Sequence, residues 1–224
     1  MKFTPEHEQI SDTVRKFVAN EINPFTAEWE KAGIFPAREL FKKMGDLGLL
    51  GIKYPTEFGG MGLDFSYSMV MAEALGDCNV GGVPMAIGVQ TDMCTPALAR
   101  FGSDALRQEF LAPAIAGNMV GCIGVSEAGG GSDVAALKTR AEKDGDDYII
   151  NGRKWFITGA AHPQCRLLIV MCRSGEEEVD KHARHSMLLL PMDTPGVTLV
   201  RNIPIMQHHS PEAAAERFEG LLSP

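Results

Sequence analysis

Apolar positions recur at helical spacing through the first half of the chain and give way to strand-like runs near Met119. Thr4-Pro5 supplies an N-cap and a proline at the first helical position, with Glu6 and Glu8 in the first turn. Ile10, Val14, Phe17, Val18 and Ile22 then form one stripe, which Pro24 is expected to end. Leu40, Phe41, Met44 and Leu47 predict a second helix, starting near Pro36 and closed by Gly48 or Gly51. The glycine-rich residues 56–62 read as a loop, and Asp64 caps a helix carrying Tyr67, Val70, Met71, Ala74 and Leu75. Further helices are expected over 85–101 and 103–116.

Beyond Met119 the pattern predicts strands over 120–125, 135–141, 147–150, 154–158, 167–172, 186–190 and 197–201. Asn151-Gly152 reads as a hairpin and Asp144-Gly145 as the turn before it, because such turns need positive φ. Consecutive strands with tight turns describe an antiparallel meander, since parallel pairing needs long crossovers. The expected fold class is α+β and multidomain: an all-α domain over 1–119, a β domain over 120–208, and a divergent tail over 209–224.

Composition narrows the class. The 224 residues are 45% hydrophobic and 22% charged, a globular balance that excludes disordered, collagen-like and coiled-coil readings. A net charge of -8 argues against a nucleic-acid partner. Five cysteines without a C-x-x-C pair read as reduced thiols. No apolar run is long enough to span a membrane and no leader is visible at Met1. The expected location is therefore the cytoplasm in a bacterium, or the mitochondrial matrix in a eukaryote. The run Glu176–Glu178 reads as a solvated hairpin loop, and Met69, Met71, Met85, Met93 and Met119 as core filler.

Two stretches carry candidate chemistry. In residues 122–133 a strand leads into Gly129-Gly130-Gly131, flanked by Ser126 and Ser132. Glycines let the backbone approach a ligand and turn N–H groups toward it, which suits phosphate oxygens. The run is neither GxxxxGK[ST] nor GxGxxG, and a strand follows it, so the standard mononucleotide and dinucleotide folds are excluded. In the second stretch, residues 151–160, a strand would put Phe156 and Thr158 on one face and Trp155 and Ile157 on the other. An aromatic plane beside a hydroxyl is what a flat heterocycle needs; an ordinary half-buried strand is the alternative.

Taken together, V-S-E-A-G-G-G-S-D-V, A-L-K-T-R-A and D-Y-I-I-N-G-R-K-W-F-I-T-G-A, in that order, resemble the acyl-CoA dehydrogenase family. L-G-L-L-G at 47–51 and Y-P-T-E-F-G-G-M-G at 54–62 resemble its helical N-terminal part, so the resemblance covers residues 1 to about 205. It implies a helical domain, an antiparallel β-barrel domain, a second helical domain and an FAD cofactor. Carried over, Ile123, Gly124, Val125, Ser126, Glu127, Ala128, Gly129, Gly130, Gly131 and Ser132 form the first cofactor stretch, and Phe156, Ile157 and Thr158 the second. In the first stretch the resemblance implies that Val125 and Ser126 approach the isoalloxazine, Gly131 and Ser132 the diphosphate, and Ser132 also the acyl-CoA thioester. Ala128 stands where the family favours proline, and Phe156 where it favours tryptophan. Asp133 is expected to accept in a turn or cap, and neither it nor Glu127 is assigned as a base.

The implied reaction is α,β-desaturation of an acyl-CoA. A carboxylate of raised pKa removes the α-proton while hydride leaves the β-carbon. The family places that base in its C-terminal domain, which no stretch of this sequence resembles, so no catalytic residue is assigned. The resemblance further implies an electron-transfer flavoprotein as acceptor and a homo-oligomer. The tail after Pro211 diverges from the family and reads as a truncated or alternatively terminated product; His208-His209 is not read as a metal site. Alternatives are a non-catalytic flavin- or acyl-CoA-binding product, or an oxidase or flavin monooxygenase of the same fold.

Overall fold

The computed structural model describes residues 3–175 and 180–203. The acidic run 176–178 and the tail from residue 204, with His208-His209, lie outside the described residues. Helix α1 (Pro5–Phe17) begins at an extended Thr4, whose N–H donates to His7 Nδ1 at 3.1 Å. With that nitrogen accepting, His7 Nε2–H donates to Ser66 Oγ at 2.7 Å. Ser66 belongs to α4 (Phe65–Leu75), whose cap Asp64 accepts from Ser66 N. The starts of α1 and α4 are thus tied together, and the two helices pack side by side. Val14, Val18, Ile22, Phe41, Met44, Leu49 and Ile87 are buried in the core they share with α3 (Ala37–Asp46).

Pro24 does not end the first helical path. The chain passes through a π-helical turn (Val18–Ile22) and a 3₁₀ turn into α2 (Thr26–Ala32), a helix the sequence pattern did not indicate. The same device interrupts both later helices. The segment expected over 85–101 is α5 (Gly82–Gly88), a π turn (Val89–Cys94) and α6 (Thr95–Phe101). That expected over 103–116 is α7 (Asp104–Leu106), a π turn (Arg107–Leu111) and α8 (Ala112–Ile115). Each π turn ends two residues before a proline: Pro24, Pro96 or Pro113. Proline lacks the N–H and its ring crowds the carbonyl four residues back, so the ladder slips to i→i+5 spacing there. Around the second π turn, Thr95 Oγ1 donates to Gln90 O at 2.6 Å and the Tyr54 hydroxyl donates to Thr91 O.

The sheet holds β1 (Val120–Gly124), β2 (Arg140–Asp144), β3 (Asp147–Asn151), β4 (Cys165–Arg173) and β5 (His185–Pro191). Its order is β1-β4-β2-β3, with β5 on the other side of β4. The expected antiparallel meander is corrected to a mixed sheet. β1 runs parallel to β4, from Gly121↔Leu167 to Gly124↔Val170, whereas β2–β3 and β4–β5 are antiparallel. Turn signals mark neighbours in sequence; the crossover that brings β4 back beside β1 leaves no such mark. Nor is the sheet closed, so the barrel expectation holds only in part. The strand expected over 135–141 begins at Arg140, after a 3₁₀ turn (Val134–Ala136), and 154–158 and 197–201 form no strand.

The turn at Gly145 has φ 62°, as read, but Asn151-Gly152 is no hairpin. Asn151 still pairs with Arg140, and a Cβ on Gly152 would lie within 2.6 Å of Thr139 Cβ, so close approach requires the glycine there. The methionine reading also changes. Met71 is buried, but Met69, Met85 and Met93 are exposed.

Gln90 joins the helical part to the sheet. It is 1% exposed; its Nε2 donates to Met119 O at 2.8 Å and its Oε1 accepts from Gly121 N at 2.9 Å. Among the described residues no helix is long and apolar enough to cross a membrane.

Candidate functional site

β1 delivers Ile123 and Gly124 to the sheet's end, and residues 125–133 leave it as a loop. Part of the loop's hydrogen-bonding capacity is met within the chain. Val125 O accepts from Lys154 Nζ (2.9 Å), Ser126 O from Trp155 N (3.1 Å) and Glu127 O from Gly130 N (3.0 Å). Ser132 O and Asp133 O accept from Val134 N and Ala136 N. The N–H groups of Ser126, Ala128, Gly129, Gly131 and Ser132 donate to no other described residue. The carbonyls of Ala128, Gly129, Gly130 and Gly131 also accept from no other described residue, so the glycine run presents backbone donors and acceptors together, and its successive N–H groups can receive an anion or a carbonyl oxygen.

The glycines act differently from the expectation. None of Gly129, Gly130 and Gly131 has positive φ. A Cβ on Gly129 or Gly131 would instead meet nothing within 4 Å, so open space lies beside the free donors. Ser126 and Ser132 are exposed beside them. Asp133 takes the cap position expected of it and accepts in the turn through its carbonyl, while its side chain makes no cap hydrogen bond.

Glu127 faces inward, and its side chain is 9% exposed. Oε1 accepts from Thr139 N (2.9 Å), Thr139 Oγ1 (2.5 Å) and Lys154 Nζ (2.7 Å), and Oε2 from Lys138 N (2.7 Å). Burial pushes its pKa up, but the hydrogen bonds from Lys154, Thr139 and the two N–H groups outweigh burial and hold it at about 2. A carboxylate so held cannot take a proton near neutrality, so Glu127 is not a base.

The second stretch is brought against the first by the Trp155 N–Ser126 O bond. The strand expected there is replaced by a kink, with Phe156 at φ 54°. A bulky residue at positive φ stores about 1–3 kcal/mol of strain. The kink changes which side chains meet: the Trp155 and Phe156 rings lie 4.5 Å apart, tilted by 35°, instead of on opposite faces. Phe156 is 60% exposed, an aromatic wall with the Trp155 ring beside it. Ile157 turns into the sheet's core, and its Cδ1 would lie 3.3 Å from a Cβ on Gly124. Ile123 likewise packs inward, against the Leu167–Ile169 cluster. Thr158 is exposed at a cavity of about 110 Å³ that it shares with Gly121, Gly159, Phe35 and His162. His162 accepts from Gln164 N at Nδ1 and donates from Nε2 to Phe35 O at 3.2 Å, bridging sheet and helices.

Sequence reasoning named the two stretches but missed what joins them, namely Lys154, Thr139 and the backbone of Lys138. In the sequence Lys154 stands beside Arg153 at the polar edge of the apolar run W-F-I at 155–157, with nothing to set the two cations apart.

A helical part is followed by a sheet, with the glycine loop and an exposed aromatic ring at the sheet's end. Residues 4–118 match the family model of the acyl-CoA dehydrogenase N-terminal domain, and residues 122–213 match that of the middle domain. The chain belongs to the acyl-CoA dehydrogenase family. It is 36% identical over 199 residues to "Probable acyl-CoA dehydrogenase YngJ" of Bacillus subtilis, covering 88% of this chain and 51% of that protein. It is similar to the crystal structure of a probable acyl-CoA dehydrogenase from Mycobacterium abscessus, with TM-score 0.79 and 38% identity over 86% of this chain and 50% of that one. An acyl-CoA dehydrogenase from Bacillus anthracis, solved as a complex with FAD, matches with TM-score 0.77 and 28% identity, over 87% of this chain and 32% of that one. The chain spans about half the length of the relatives it matches.

Proposed function

We propose that these residues form the cofactor-holding half of an FAD-dependent acyl-CoA dehydrogenase, an enzyme that desaturates an acyl-CoA thioester between its α and β carbons. The observation that carries the reading is the glycine-rich loop whose N–H groups at Ser126, Ala128, Gly129, Gly131 and Ser132 stand free beside open space. Such a loop fits the diphosphate and ring carbonyls of a flavin dinucleotide, and the exposed Phe156 fits its ring. Bound FAD would supply hydride acceptance. The protein's own part would be to orient: Ser126 and Ser132 offer hydroxyl donors, Phe156 and Trp155 wall one side, and Thr158 faces the neighbouring cavity. By the same resemblance, Ser132 would also face the thioester and an electron-transfer flavoprotein would receive the electrons.

Glu127 is excluded as the α-proton base by its four donors and low pKa, and the family's base matches none of these residues. The test has two arms. Gel filtration of the 224-residue chain with excess FAD should leave visible flavin absorbance on the protein peak; a peak free of flavin rejects the cofactor reading. Incubation with acyl-CoA thioesters and an artificial electron acceptor should give no enoyl-CoA from this chain alone; turnover would show that a base lies within it.

A further inference from the structure

The ion pair Lys154–Glu127 spans the two stretches of the site and belongs to neither reading above. Both side chains are nearly sealed from water, at 6% and 9% exposure. Lys154 Nζ bonds the Val125 carbonyl as well as Glu127 Oε1, and Glu127 in turn bonds the backbone that enters β2. Three segments distant in sequence (125–127, 138–139 and 154–155) therefore meet at one carboxylate. A buried pair is weak evidence for stability, because desolvation offsets much of the attraction. Its geometry does something more specific. By taking the Val125 carbonyl, Lys154 leaves that peptide edge unable to face a ligand as an acceptor. The next residue, Trp155, takes the Ser126 carbonyl in the same way.

We propose that Lys154 and Glu127 are positioning residues for the flavin: they turn the loop's donors outward and keep the net charge beside the ring at zero. The inference rests on the flavin reading. It separates from a merely structural role by sign. Lys154→Met leaves an unbalanced carboxylate, still held ionised by Thr139 and Lys138, and so disfavours the electron-rich reduced flavin. Glu127→Gln leaves an unbalanced ammonium and favours it. The two single variants move in opposite directions, and Glu127→Gln/Lys154→Met returns toward the unaltered chain. Lost packing alone would move both variants the same way.

The experiment measures dissociation constants for oxidised and reduced FAD on the 224-residue chain and the three variants, alongside amide exchange without flavin. The ratio of the two constants should shift about tenfold each way in the single variants, as one unbalanced charge at short range implies. Exchange at the amides of Gly130, Lys138, Thr139 and Trp155 should accelerate in both single variants. Shifts of the same sign, or no shift, overturn the charge-balancing role. Unchanged exchange overturns the clamp. If the unaltered chain takes up no FAD, the flavin reading falls and the charge role with it, and exchange alone decides the clamp.

Discussion

The helical part and the loop over 125–133 are held by different means. In the helices, burial decides: Phe41, Met44 and Ile87 are almost wholly sealed, and α1, α3 and α4 turn apolar stripes inward. At the loop Phe156 faces out, at 60% exposure, while the charged side chains of Glu127 and Lys154 face in. The difference teaches that a ligand-facing segment is built inside out. Its charged side chains bind its own chain, and the surface left open is an aromatic plane, glycine and unpaired backbone groups.

The sharpest way to break that comparison is to remove one aromatic ring from each region. Phe41→Ala should cost about 3–5 kcal/mol, read as a fall in the urea midpoint. Phe156→Gly should leave the unliganded midpoint unchanged or raise it slightly, because it removes strain and no buried contact, yet it should weaken FAD binding. A large loss of stability there would mean that Phe156 is core after all. Next comes the joint between the regions. Gln90→Leu strands Gly121 N–H and Met119 O in a dry interface and should cost about 2–4 kcal/mol, seen by thermal melting. Acid tests the loop alone. Glu127 has a depressed pKa, so its contribution is complete above the ordinary carboxylate range, near 4.5, and is lost as the pH falls toward about 2. Amide exchange at Lys138 and Thr139 should accelerate across that window, ahead of the amides of α1. The smallest effect is expected at the exposed Lys42–Asp46 pair on α3, where Lys42→Ala should change stability by about 0.5 kcal/mol or less.

Legibility in the sequence followed the same divide. The stripes of α1, α3 and α4 were readable because a buried face imposes its period on the residues, and Asp64 and Thr4 announce their helix starts. The loop could be located by its glycines and its resemblance to a family, but not its inner construction. Nothing about Glu127 in a linear reading distinguishes four internal donors from a ligand contact. Lys154–Thr158 reads as a strand because Trp, Phe, Ile and Thr favour one; the Trp155–Ser126 bond and the Lys154–Glu127 pair impose the kink. Gly152 was noticed for the wrong reason, as a turn residue when Thr139 needs its missing Cβ. The parallel β1–β4 pairing depends on a crossover of about 40 residues, beyond the reach of any local pattern.

The three π turns have one further consequence. A helix whose ladder has already slipped at a proline can gain or lose a residue at that point while both flanks keep their packing. Segments 18–22, 89–94 and 107–111 are therefore the molecule's expansion joints. Chain-length variation in the helical part should concentrate there, with the walls around the sheet staying where they are.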